Sequence, residues 1–140
     1  MINIPTQEIK ATFEQLGAQQ VAVHQEGDNT MFVAMFTIGG EETGVIMIVS
    51  ELGTQLFCKF FSTFEQVFKK PETPFYEVIG RLNAQLVIGF LQFQEEEGDY
   101  RLVYHSNYVA DPDALLANRS FRNFISFSVD MVGLVDDQLG

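Results

Sequence analysis

A chain of 140 residues with 46% apolar side chains has the size and composition of one folded domain, and it can bury a core without disulfides or a structural metal. Asp and Glu total 19 against 8 Lys and Arg; the net charge of -11 repels phosphate backbones and anionic headgroups and so argues against nucleic acid and membrane surfaces as partners. The single cysteine, Cys58, rules out an intramolecular disulfide.

The segment Met1-Ile2-Asn3-Ile4-Pro5 lacks the basic and apolar regions of a signal peptide, and no apolar run approaches the ~20 residues of a membrane span. A cytoplasmic location is expected. Ile9, Phe13 and Leu16 lie at i, i+4 and i+7, one stripe of a helix starting near Thr6, and Gly17 sits where a C-cap glycine belongs. From Gln20 to Phe61 the period changes to two. Val21 and Val23 alternate with polar neighbours, and Asp28-Asn29 turns the chain. Met31 to Ile38 forms a second strand, Gly39-Gly40-Glu41-Glu42 a hairpin connection, and Val45 to Val49 a third strand. Glu51-Leu52-Gly53 turns again, and Leu56 to Phe61 is the fourth strand of a meander.

The second and third strands are apolar on both sides. An antiparallel sheet with one wet face alternates cleanly between apolar and polar. Both faces of these strands therefore call for cover: helices of the same chain can cover one, and the other needs a further helix or a second subunit.

Thr73-Pro74 has the form of an N-cap followed by proline at the first helical position. Val78, Ile79, Leu82 and Leu86 mark the stripe of that second helix. A strand near Leu86–Phe93, including Gly89, follows. Glu95-Glu96-Glu97-Gly98-Asp99 turns the chain into a returning strand through Tyr100, Leu102 and Tyr104. Asp111-Pro112-Asp113 combines an N-cap, a proline and a first-turn acid, which predicts a third helix start, with Asn118 to Ser120 interrupting it. Phe121, Phe124, Ile125, Ser128, Met131, Val132 and Val135 mark its face, widened by Phe127 and Leu134. The expected fold is α+β over residues 1–140 as a single domain. It is an antiparallel sheet, meander plus hairpin, flanked by helices in the order α-β-β-β-(β)-α-β-β-α.

Catalytic signatures are missing. There is no phosphate-cradling glycine loop, no nucleophile elbow and no metal-ligand spacing, so no cofactor is expected. His24, Cys58 and His105 are the residues from which an enzyme would have to be assembled. Cys58 alternates with Leu56 and Phe60 and reads as a small core residue.

Arg81-Leu82-Asn83, leading into Val87-Ile88-Gly89-Phe90-Leu91 and then Gly98-Asp99-Tyr100-Arg101-Leu102, resembles the YbjN-type family, whose fold is that of the type III secretion chaperones. The resemblance covers nearly the whole chain. Four strands before the second helix exceed the family's usual three. The resemblance implies no active site, a homodimer and a role in binding other polypeptides. The expected function is a non-catalytic protein-binding module, chaperone-like or regulatory. Its dimer or partner face is drawn from Met35, Met47, Phe127, Met131 and Leu134, because methionine-rich apolar surfaces adapt to partners. The alternative is a small apolar ligand held in a pocket between sheet and helices.

Overall fold

The computed structural model describes residues 4–69, 75–113, 115 and 119–139. The element order is α1 (Thr6–Gln15), β1 (Gln20–Glu26), β2 (Asn29–Ile38), β3 (Glu41–Leu52), β4 (Gln55–Phe68), α2 (Phe75–Asn83), β5 (Phe90–Glu96), β6 (Asp99–Ala110) and α3 (Arg119–Leu139). This is the expected α+β order, with the fourth meander strand present. The predicted Thr73-Pro74 cap lies outside the described residues.

The six strands form one antiparallel sheet in the order β1-β2-β3-β4-β6-β5. β6 therefore inserts beside β4, and the β5–β6 hairpin extends the meander with its second strand innermost. The three helices all pack on one side. Phe13 of α1 lies against Phe32 and Phe36 of β2. Phe124 of α3 lies against Phe60 of β4 and Tyr108 of β6. Ser128 and Ser106 share a buried 2.8 Å hydrogen bond between α3 and β6. At the far edge, Asn83 ends α2 with its side chain on Leu91: Oδ1 accepts from the Leu91 N–H at 2.7 Å and Nδ2 donates to the Leu91 carbonyl at 3.4 Å. The Leu-Asn pair at this helix end thus fastens α2 to the first turn of β5.

Two boundaries differ from the sequence reading. Gly89 does not lie in a strand: its φ is +82° and β5 begins one residue later. The third helix does not begin at Asp111. The Asp111 carboxylate accepts the Asp113 N–H at 3.0 Å, the i+2 bond an N-cap makes, but residues 112, 113 and 115 are in turns, residues 114 and 116–118 lie outside the described residues, and α3 spans Arg119–Leu139.

The core between sheet and helices is filled by Ile9, Phe13, Phe32, Met47, Phe60, Leu82, Leu102, Tyr104, Phe121 and Ile125, all fully or almost fully buried. No described helix is long and apolar enough to cross a membrane.

Candidate functional site: the open face of the sheet

Strand alternation puts one set of side chains under the helices and the other set on the opposite face. On β2 the helix-facing residues are Phe32, Ala34 and Phe36, all buried, and the opposite set is Met31, Val33 and Met35, all half-buried. On β3 the division is Val45, Met47 and Val49 against Ile46 and Ile48. Among the described residues, no helix packs on this second set.

The register aligns these side chains into rows. Ala22, Val33, Ile46, Phe61, His105 and Phe90 are successive Cα partners across all six strands. The next row runs His24, Met31, Ile48, Lys59 and Asn107. A third, shorter row joins Ser50, Phe57 and Val109. Directly paired side chains on one face are in contact range, so the first row is a continuous apolar and aromatic stripe. Phe90 is 45% exposed and Val109 48%. None of these residues carries a carboxylate, in a chain that has 19. The carboxylates that alternation puts on this side, Glu26, Glu42, Glu96 and Asp99, stand near strand ends beyond these rows.

His105 lies between two rings, stacked on Phe90 with centroids 5.1 Å apart and tilted against Phe61 at 6.3 Å. Burial, reinforced by the Lys59 charge, lowers its pKa below the ordinary 6.5. The unfolded chain then takes up the His105 proton at higher pH than the folded one does. Between the two values the unfolded state holds more protons, so stability falls as pH drops through about 6.5 and levels off below the folded pKa. Thermal melts from about pH 7.5 to about pH 5.5 should show this decline, and His105→Gln should flatten it. An unchanged slope in the variant would assign the decline to other groups.

The enzyme candidates do not assemble. Cys58 is fully buried under the helices, and burial pushes its thiol up to about 12, so it is neither accessible nor readily ionised. His24 and His105 are on the other face of the sheet. They stand on β1 and β6, four strand spacings or about 19 Å apart. No group of three His, Cys, Asp or Glu among the described residues could hold a metal ion.

The five residues expected to form one partner face are separated by the fold. Met35 belongs to the open face. Met47 does not belong to any surface: it is fully buried beneath the helices, because its neighbours Ile46 and Ile48 take the open side. Phe127, Met131 and Leu134 are on α3, across the sheet from Met35. Phe127 is 51% exposed. Met131 is half-buried, its sulfur accepting the Val87 N–H at 3.4 Å. Leu134 lines a groove of about 850 Å³ at the end of the sheet. That groove lies between α3 and the ends of β2, β3 and β4, at the margin of the core, and carboxylates border it. Sequence reasoning missed Val33, Ile46, Phe61, His105 and Phe90 as one row. The signal was the double-sided apolar pattern of β2 and β3, but the row itself needs the register.

No family model matches this chain, and no curated protein matches it in sequence. Its fold is found in the crystal structure of YbjN from E. coli, described there as a candidate transcription regulator. The match covers 96% of this chain and 91% of that chain, with a TM-score of 0.50 and 9% identity. At that identity the likeness is one of fold.

Proposed function

We propose that this chain is a non-catalytic protein-binding module, chaperone-like or regulatory, that works as a homodimer through the open face of its sheet. The observation that carries the reading is the acid-free apolar row from Ala22 to Phe90. Six strands at ~4.8 Å make this row about 24 Å long, and the second row, five strands wide, lies beside it. Charge limits where a second copy can sit. Two chains of net charge -11 repel each other, and the repulsion is least where surfaces without carboxylates meet. The same acid excess disfavours nucleic acid and anionic membranes as partners. A likeness of fold to YbjN is compatible with a regulatory role and does not specify one.

The test is sedimentation equilibrium at micromolar concentration. The wild type is expected at twice 15.8 kDa, with association tightening as salt is added. Ile46→Glu, at the centre of the row, should give the 15.8 kDa monomer with an unchanged circular dichroism spectrum. Phe127→Asp, on the helical side, should remain dimeric. A monomeric wild type would overturn the dimer, and dissociation by Phe127→Asp but not by Ile46→Glu would move the interface to α3.

A further inference from the structure

We propose that the groove between the C-terminal half of α3 and the β2–β3 hairpin docks a basic amphipathic segment of a partner polypeptide. This rests on the protein-binding reading above, but not on the dimer.

The groove lies beside a close approach of α3 to β2. The contact point is Gly133, where a Cβ would come within 3.2 Å of Ile38 Cγ2. The β4 side is shaped by a register shift between Thr63 and Val67, a bulge that re-aims the side chains of that stretch. The apolar part of the lining is Ile38, Phe64, Leu134 and Leu139. Around it stand Glu41 and Glu42 from the hairpin, Glu65 from the bulge, and Asp130, Asp136 and Asp137 from α3. Six of the chain's 19 carboxylates thus border one groove, and none of the described Lys and Arg does. Among the described residues, none of the six makes an ion pair.

Helix polarity adds to the imbalance. The C-terminal end of a helix carries partial negative charge and favours Lys or Arg. The last turn of α3 has no basic residue and carries Asp136 and Asp137 instead. This end of the molecule is therefore electrostatically unfavourable in isolation and is relieved by a cationic occupant. The carboxylates do not converge as ligands on one ion, so a metal is not the fit. Their number around the apolar lining also disfavours a neutral apolar molecule. A segment with leucine-like side chains on one side and Lys or Arg on the other satisfies both parts: the apolar side chains sit against Leu134 and Phe64, and the long basic stems reach the rim. A volume of about 850 Å³ admits several such side chains.

The probe is a fluorescein-labelled helical peptide of about four turns, Leu on one face and Lys on the other, followed by fluorescence anisotropy. It should bind, and the same peptide with Glu in place of Lys should not. The triple variant Asp130→Asn, Asp136→Asn, Asp137→Asn should weaken binding by about tenfold or more. It is expected to fold, because it removes like charges from a helix end that disfavours them. The control Glu95→Gln, Asp111→Asn, Asp113→Asn removes as many charges away from the groove and should change affinity by less than about twofold. A Lys peptide with Ser in place of Leu should bind about tenfold more weakly or worse. Amide shifts of Gly39, Gly44 and Gly133 should move on titration. Three outcomes overturn the proposal: no binding of the Leu/Lys peptide, equal loss in both triple variants, or equal binding of the Ser/Lys peptide. Sedimentation of the same samples reports the dimer independently, so an intact dimer that ignores the peptide removes the groove alone.

Discussion

Gly89→Ala is expected to lower stability by about 3 kcal/mol or more, a fall in melting temperature of roughly 10 °C for a chain of this length. Two causes add. Gly89 holds φ at +82°, where a Cβ is strained whatever space surrounds it. That Cβ would also fall inside contact distance of the His105 carbonyl oxygen and the Tyr104 hydroxyl. Neither neighbour can withdraw cheaply. The carbonyl belongs to β6, inside the sheet, and the Tyr104 hydroxyl donates to the Ile88 carbonyl at 2.7 Å. Gly53→Ala separates the two causes, since Gly53 also has positive φ (+63°) but an added Cβ meets nothing within 4 Å. Its expected loss is about 1 kcal/mol, from the backbone alone. Urea unfolding with a constant m-value measures both. Equal losses would show that the close approach of Gly89 to β6 is unimportant.

Phe60→Ala should cost about 3–5 kcal/mol, a large share of the ~5–15 kcal/mol that holds a domain folded. Phe60 is fully buried and sits edge-on to Tyr104 (6.2 Å) and to Phe124 (6.3 Å), so one ring joins β4, β6 and α3. Its removal takes away apolar burial and leaves a cavity where three elements meet. Phe61→Ala, one residue on, is the comparison. Phe61 faces the open side and is half-buried, with His105 as its ring neighbour at 6.3 Å. Its expected loss in a monomeric background is about 1 kcal/mol, but it should weaken self-association, because a hot-spot aromatic matters to an interface more than to the fold beneath it. Reversal of the two stabilities would mean that the faces have been assigned the wrong way round.

The consequence for function lies in how the molecule distributes its charge and its apolar surface. The acid excess borders the groove at the end of α3 and other exposed positions, while the rows from Ala22 to Phe90 and from His24 to Asn107 have no carboxylate. In the proposed dimer these rows are where two acidic chains would meet with least repulsion. The open face and the groove are different in chemistry. One carries apolar rows with Lys59 and no carboxylate within them, and the other is a groove bordered by carboxylates, so they suit different occupants.

What the amino-acid order determined by itself was local. Period-two runs placed β1 to β4, the stripe Ile9–Phe13–Leu16 placed α1, and glycine and acidic clusters placed most turns, because each of these signals lies within one element. The double-sided apolar character of β2 and β3 also revealed that one layer of helices would not cover the sheet. Only the tertiary structure decided which side the helices took, and that choice put Met47 in the core and Met35 on the surface, although both read alike in sequence. It decided that β6 pairs with β4, which brings His105 and Phe90 into line with Phe61. It also drew the groove's carboxylates together from segments far apart in the chain. The physical reason is the same in each case. Local propensity acts over a few residues, whereas strand order, register and helix docking depend on contacts that close long loops, and no short stretch of sequence encodes those.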